Sequence, residues 1–189
     1  MRRTLITTFA VLFAACAPDR GDGASAVGYG LGHPASDSLI GAMDHDVGPD
    51  GAELPPGRGS VAEGAVLYAA QCAVCHGSEG QGMSSALPAL VGRDPKGEGF
   101  DFGNDGTLTK TIGNYWPHAT TLFDYIKRAM PLTAPGSLND DQVYALSAYL
   151  LAANEVIPDT ASLDAASLRA VRMPARDRFV PDDRSPTRP

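Results

Sequence analysis

Five consecutive residues, Cys72-Ala73-Val74-Cys75-His76, constrain this chain more than any other stretch. Two cysteines separated by two residues, with a histidine directly after the second, are the attachment pattern of a c-type haem. At such a site the two thiols add to the vinyl groups of the haem, and the imidazole binds the iron from the proximal side. We therefore expect Cys72 and Cys75 to hold one covalent haem c and His76 to ligate its iron.

The same cysteines also fit two other kinds of site, a redox-active dithiol and half of a zinc site. A zinc site needs further ligands at matching spacing, and the third cysteine of the chain is Cys16, far away near the N-terminus. A thioredoxin-like dithiol lies beside a βαβ pattern, whereas this motif follows an Ala-rich stretch of helical character. The sequence favours haem over both alternatives.

The iron has a second axial position, on the side opposite His76, which either takes another protein ligand or stays open. The chain contains five methionines: Met1, Met43, Met83, Met130 and Met173. Met130 ends a predicted helix directly before Pro131, where a rigid thioether can reach the distal side. The alternative is that it simply fills the core. Ligation by His76 and Met130 would fill both axial positions and predicts a one-electron carrier.

A helix is predicted immediately before the haem motif. Ser60 and Glu63 have the spacing of a capping box, which marks where this helix begins. Gly64 and Tyr68 lie four residues apart on one face of it. Because a glycine inside a helix is unfavourable by about 1 kcal/mol relative to alanine, Gly64 indicates the close approach of another helix.

Two further helices follow in the middle of the chain. One runs from near Thr120 to Met130, and the other from a second capping box at Asn139 to about Asn154. These patterns predict an all-α domain over residues 60–154. The flanking residues, 16–59 and 155–189, are predicted to form irregular N- and C-terminal arms, with one possible short helix over 162–171.

Residues 1–15 have the pattern of an export signal, with Arg2-Arg3 followed by an apolar run too short to span a membrane. Cleavage before Cys16 would allow its lipidation and a membrane tether, whereas ordinary cleavage would leave a soluble protein. Both alternatives place the protein in the bacterial periplasm. The formal charge of −7 makes nucleic acid an unfavourable partner.

Two short stretches are candidates for the surroundings of the haem. A backbone carbonyl near Pro88 is the expected acceptor for the second ring nitrogen of His76. Tyr115 and Trp116 form the most aromatic patch of the chain and either line the haem pocket or pack in the core.

Residues 60–154 resemble a class I cytochrome c domain. The resemblance rests on matched residues in each predicted element: Gly64, Tyr68, the haem motif, Pro88-Ala89-Leu90, Met130-Pro131, Leu146 and Tyr149. It implies three to five helices around one covalently bound haem, with the first and last helices crossing near Gly64.

A narrower resemblance extends into both arms. Residues 43–51, 54–59, 115–125 and 171–179 are similar to cytochrome subunits of sulfite dehydrogenases and of the sulfane dehydrogenase of the Sox system. It implies a non-catalytic subunit that accepts electrons from a molybdopterin subunit and passes them to another cytochrome or an oxidase. It also implies that the arms wrap the core or the partner. The chain differs from two-haem members of the family because it has one haem motif.

Three other functions fit the same haem motif. The alternatives to a sulfur-dehydrogenase subunit are a stand-alone periplasmic carrier, the cytochrome subunit of another dehydrogenase, and a haem peroxidase in which Met130 is displaced from the iron.

Overall fold

The computed structural model describes residues 32–93, 102 and 106–180. Six helices and two short strands occur in this part of the chain: α1 (Asp37–Met43), β1 (Arg58–Ser60), α2 (Val61–Gln71), α3 (Ala73–His76), α4 (Ala119–Ala129), α5 (Asp140–Ala153), β2 (Ser162–Asp164) and α6 (Ala165–Ala170). A 3₁₀ turn follows at Arg176–Arg178. The predicted export signal and Cys16 lie outside the described residues.

Both predicted capping boxes are present. At the start of α2 the Ser60 hydroxyl accepts the Glu63 N–H at 3.2 Å, and the Glu63 carboxylate accepts the Ser60 N–H at 2.8 Å. At the start of α5, Asn139 and Gln142 make the same reciprocal pair at 2.9 and 3.0 Å. Each box satisfies two N–H groups that the helix itself leaves without partners.

Helices α2 and α5 cross at Gly64. This residue is buried, and a Cβ built on it would lie 1.9 Å from the carbonyl oxygen of Ala145. One turn further along α2, the ring of Tyr68 packs against that of Tyr149 with 4.9 Å between centroids. The predicted close approach of a second helix to Gly64 is therefore confirmed.

Helix α4 packs its apolar face on α5. The ring of Phe123 lies 4.6 Å from that of Tyr144, and both residues are fully buried. The helix stops at Met130, which has extended backbone angles because the residue before a proline, here Pro131, avoids the α region. Met130 is thus placed at the edge of the core.

The two arms share one core with the helices. β1 pairs antiparallel with β2, so that Gly59 lies opposite Leu163. A ladder of this length is marginal alone, and it is held by apolar residues of both arms that are buried in the core: Val47, Leu54, Leu163, Leu168 and Met173. The segment of residues 44–57, here called the strap, lies across the helices before β1.

Hydrogen bonds tie the strap to α4 and α6. The Val47 N–H donates to Asp124 Oδ1 at 2.9 Å, and Arg128 donates to both oxygens of the same carboxylate at 2.8 and 2.5 Å. Arg169 on α6 donates to the carbonyl of Gly51 at 2.7 Å. The strap and residues 162–173 of the C-terminal arm therefore pack on the core of their own chain.

Two local elements differ from the sequence expectation. The N-terminal arm contains the short helix α1, capped by the Ser36 hydroxyl, which accepts the Leu39 N–H at 3.3 Å. The single helix expected over 162–171 is instead strand β2 followed by α6, because Asp164 caps a later start. Across the described ranges no helix has both the length and the apolar character needed to cross a bilayer.

Candidate haem site

The two motif cysteines lie one helical turn apart. Cys72 separates α2 from α3, and its carbonyl accepts the N–H groups of Cys75 and His76 at 3.0 and 2.9 Å. Both thiols are free and half-buried, and Val74 between them is 80 % exposed. One short segment therefore supplies two thiols and an imidazole near the protein surface.

The surroundings of the cysteines do not suit a reactive dithiol. Burial, with a smaller contribution from Cys75, raises the pKa of the Cys72 thiol to about 11. A redox-active or metal-binding cysteine instead works as a thiolate, which a lowered pKa favours. Among the residues that the structure describes, no three His, Cys, Asp or Glu side chains form a group that could hold a metal ion. The described residues therefore give no support to a redox-active dithiol or to a zinc site at this motif.

His76 is oriented by a backbone carbonyl. Its Nδ1 lies 3.0 Å from the carbonyl oxygen of Pro88, the acceptor that the sequence predicts. Since a carbonyl oxygen only accepts, Nδ1 carries the proton and Nε2 keeps its lone pair for a metal. The carbonyl of Gly77 accepts the Tyr68 hydroxyl at 2.9 Å. These contacts hold residues 77–92, the proximal loop, against α2 and α3.

Tight turns give the proximal loop its shape. The N–H groups of Leu90 and Val91 both donate to the carbonyl of Gly80, at 2.8 and 3.0 Å. Gly82 has a φ of +78°, and a Cβ there would lie 2.5 Å from the nitrogen of Ala89. Only glycine combines this backbone angle with so close an approach. The loop is thereby folded back on itself beside His76.

Met130 has a position compatible with a second axial ligand. It lies half-buried against the hydrophobic core, at the end of α4. Met43 and Met83 are exposed, and Met173 is buried within the core. Of the methionines in the described part of the chain, Met130 alone combines partial burial with a place at a helix end. Its ligation stays a prediction.

The loop that follows Met130 is closed by a lysine on the same helix. Lys127 Nζ donates to the carbonyl of Leu138 at 3.1 Å and forms an ion pair with Asp140 at 2.7 Å. Since Lys127 lies one turn before Met130, this contact joins the two ends of the loop.

The two predicted pocket aromatics have different surroundings. Trp116 is half-buried against the same hydrophobic core that Met130 borders. Tyr115 instead packs edge-on against Phe102 and Phe179, with centroids 5.2 and 5.5 Å apart. The structure thus places Trp116 and Met130 around one core, and Tyr115 in a separate aromatic group. A role for either ring beside a haem stays a prediction.

Sequence reasoning missed Asn154 as part of the site. Its side chain is fully buried and forms hydrogen bonds with Leu90 and Gly92 of the proximal loop. An asparagine after the last turn of a helix is ordinarily a local cap. Nothing in the linear pattern indicates its distant partners.

The donor set as a whole fits haem c. Cys72 and Cys75 are free thiols one turn apart, and Nδ1 of His76 contacts the Pro88 carbonyl, which leaves Nε2 as the ring nitrogen able to bind a metal. A thioether ligand from Met130, which stays a prediction, would complete a set that is typical of c-type electron carriers.

Comparison with known proteins agrees with this chemistry. Residues 59–150 match the family model described as cytochrome c oxidase, cbb3-type, subunit III. A chain in the crystal structure of the sulfane dehydrogenase SoxCD from Paracoccus pantotrophus is 40 % identical, with a TM-score of 0.69. That match covers 84 % of this chain and 75 % of the other.

A curated relative matches over a shorter region. Thiosulfate dehydrogenase from Stutzerimonas stutzeri (strain A1501) is 35 % identical over 100 residues, which is 51 % of this chain. The match spans 28 % of that protein. On the strength of the SoxCD match and the family model, the chain belongs to the cytochrome c family, with a class I domain that resembles the cytochrome subunit of sulfane dehydrogenase.

Proposed function

We propose that this protein carries single electrons through one haem c, attached covalently to Cys72 and Cys75 and ligated by His76 and Met130. When bound, this group supplies a reversible one-electron couple at its iron. The observation that carries the proposal is the 3.0 Å contact between Nδ1 of His76 and the carbonyl of Pro88, which leaves Nε2 for the iron.

The axial pair decides between electron transfer and catalysis. With His76 and Met130 both bound, no coordination position is left for oxygen, peroxide or a substrate. A thioether ligand favours the reduced state and raises the reduction potential. A haem peroxidase would need Met130 to leave the iron. We therefore propose a non-catalytic subunit of an oxidoreductase complex.

The proposed electron donor is a molybdenum-containing dehydrogenase subunit that oxidises sulfite or sulfane sulfur. The 40 % identity with a chain of the sulfane dehydrogenase SoxCD supports this choice. Because such an oxidation releases two electrons, the cytochrome must be reduced and reoxidised twice in each turnover. A downstream cytochrome or oxidase would receive the electrons.

Exposed apolar side chains beside the proposed ligands support docking of these partners. Val74 lies between the two cysteines and is 80 % exposed, and Leu132 follows Met130 by two residues and is 73 % exposed. Single exposed apolar side chains are common on soluble proteins, so the choice of this face rests on its closeness in sequence to the proposed haem ligands. A partner that covers these side chains would come close to the haem.

Purification from the native host tests the proposal. We expect a molybdenum protein to co-purify, and the bound cytochrome to be reduced when sulfite or a sulfane compound is added. Reduction by thiosulfate instead would favour a thiosulfate-oxidising complex. The contrary outcome is a monomeric cytochrome that no sulfur compound reduces, even after the other host fractions are added back. That result would favour a stand-alone carrier over a dehydrogenase subunit.

We also propose that the protein is exported to the periplasm and anchored there through lipidated Cys16. Fractionation of cells that express the full chain tests the anchor. The wild-type protein should sediment with membranes, and Cys16→Ser should move it to the soluble fraction. A soluble wild-type protein would instead support ordinary signal cleavage.

A further inference from the structure

Asn154 at the C-terminal end of α5 makes an unusually complete set of hydrogen bonds. It is 0 % exposed, and its Oδ1 accepts the Gly92 N–H at 2.9 Å. Its Nδ2 donates to the carbonyls of Leu90 and Leu150, at 3.1 and 2.8 Å. The Leu150 bond is local to the helix, whereas the other two reach the proximal loop. Both amide protons are therefore used, and the side chain joins α5 to that loop.

The fit around Asn154 is close. A Cβ built on Gly113 would lie 2.4 Å from Asn154 Oδ1, so the absence of a side chain at Gly113 is what leaves room for the Asn154 amide. The backbone carbonyl of Asn154 accepts a hydrogen bond from Nη1 of Arg93 at 3.0 Å, directly after the proximal loop. A buried amide that is fully satisfied is costly to disturb, since each lost partner leaves a polar group without water.

The proximal loop segment that Asn154 holds also carries the acceptor for His76. Leu90 lies two residues after Pro88, and Pro88 supplies the carbonyl that is 3.0 Å from His76 Nδ1. The carbonyl of Leu90 accepts the Ile112 N–H at 3.1 Å as well as the Asn154 amide. The Pro88 carbonyl therefore lies two residues before a backbone position that Asn154, Ile112 and Gly80 hold by hydrogen bonds.

We propose that Asn154 is a positioning residue for His76. By fixing the Leu90 carbonyl and the Gly92 N–H, it keeps the Pro88 carbonyl in hydrogen-bond contact with Nδ1 of His76. This inference rests on the proposed function, in which Nε2 of His76 ligates a haem iron. It assigns to the end of α5 a part in setting the reduction potential.

The direction of the effect follows from the chemistry of the imidazole. A carbonyl that accepts the Nδ1 proton makes Nε2 a stronger donor, and a stronger donor favours the oxidised iron. If the Pro88 carbonyl moves away, His76 becomes a weaker donor and the reduced iron is favoured. Loss of the Asn154 side chain should therefore raise the reduction potential.

The test compares Asn154→Ala with Asn139→Ala in the haem-loaded protein. Both substitutions remove an asparagine that caps α5, but Asn139 is at the opposite end and is exposed. Both should lower the unfolding temperature. Only Asn154→Ala should raise the reduction potential and speed solvent exchange of the His76 Nδ1 proton, measured by NMR in the reduced protein. An unchanged reduction potential in Asn154→Ala would overturn the proposal, whatever the exchange rate.

A measurement on the wild-type protein covers the case in which Asn154→Ala does not fold. Hydrogen exchange is followed for the Gly92 N–H, which Asn154 holds, and for the His76 Nδ1 proton, at rising denaturant below the unfolding transition. The proposal predicts that both protons exchange through one common opening. Exchange of Gly92 with no accompanying exchange at His76 would contradict it.

The two proposals fail in distinguishable ways. If the wild-type protein lacks the absorption spectrum of a histidine-ligated low-spin haem, the proposed function is wrong. If that spectrum is present and Asn154→Ala has the wild-type potential, the function stands and the positioning role is wrong.

Discussion

Gly64 and Ala145 are in direct contact where α2 crosses α5, so that a Cβ on Gly64 would lie 1.9 Å from the Ala145 carbonyl oxygen. Gly64→Ala should gain about 1 kcal/mol of helix propensity. The added methyl group forces the helices apart, and such overpacking costs about 1–3 kcal/mol or more. We expect the clash to dominate, because a backbone carbonyl of a buried helix cannot move aside.

Thermal unfolding of the haem-loaded protein measures this balance. Gly41→Ala in α1 is the matched control, because a Cβ there meets nothing within 4 Å. The control should be neutral or slightly stabilising. If Gly64→Ala melts at or above the wild-type temperature, the helices do not cross as described.

The carboxylate of Asp124 should make the attachment of the strap depend on pH. Burial would raise the pKa of Asp124, but hydrogen bonds from Arg128 and the Val47 N–H, together with the Arg128 charge, hold it below its ordinary value. A carboxyl with a lowered folded-state pKa stabilises the fold above its unfolded pKa, about 3.9. That stabilisation is lost as pH falls through the folded value.

Asp124→Asn should therefore destabilise the protein by about 1–2 kcal/mol at pH 7, a value kept low because Arg128 is half exposed. The difference from wild type should shrink below about pH 4. Denaturant unfolding at several pH values measures it. The exposed Asp177, paired with Arg172, provides the control, since Asp177→Asn should change stability by less than about 0.5 kcal/mol. Equal losses at pH 7 and pH 3 would contradict the role of the charge.

The hydroxyl of Tyr68 supports the turn that follows the haem motif. It donates to the carbonyl of Gly77 at 2.9 Å, and burial raises its pKa to about 12. Tyr68→Phe should cost about 0.5–1.5 kcal/mol because the Gly77 carbonyl loses its partner. The spectrum of tyrosinate should develop at Tyr68 only near pH 12. Ionisation of Tyr68 near pH 10, detected as a difference from Tyr68→Phe, would show that the hydroxyl is not buried as described.

Electron exchange with a partner should depend on Leu132. Leu132→Glu places a charge on an exposed side chain near Met130, so it should slow electron transfer to the partner at least several-fold without changing the reduction potential. Val66→Glu, on the solvent-facing side of α2, is the control. Stopped-flow reduction rates compare the two variants. Equal reduction rates for the two variants would show that the partner docks on a different surface of the protein.

Local features of the fold could be predicted because their causes lie within a few residues. The capping box at Ser60 and the helix end before Pro131 depend on near neighbours, and the structure has both. The acceptor for His76 could also be predicted, although Pro88 is twelve residues away and the contact is not local in the same sense. Gly64 indicated a close contact, although its partner could not be named from the sequence.

Long-range contacts could not be predicted, because one linear pattern carries no information on its distant partner. The Val47 N–H meets Asp124 across 77 residues, and Asn154 meets Gly92 across 62. Both asparagine and aspartate are common in local turns and caps, which hides such roles. The arms appeared irregular for a related reason, since they are held by packing on the core and not by their own periodicity.

The assignment of His76 and Met130 as the axial pair is tested most directly by absorption spectra of the oxidised wild-type, Met130→Ala and Met83→Ala proteins. Met83, which is exposed, provides the control. The wild-type and Met83→Ala proteins should have the absorption feature of a methionine–iron bond and resist cyanide. Met130→Ala should lose that feature and bind cyanide readily. An unchanged spectrum in Met130→Ala would contradict the proposed ligation.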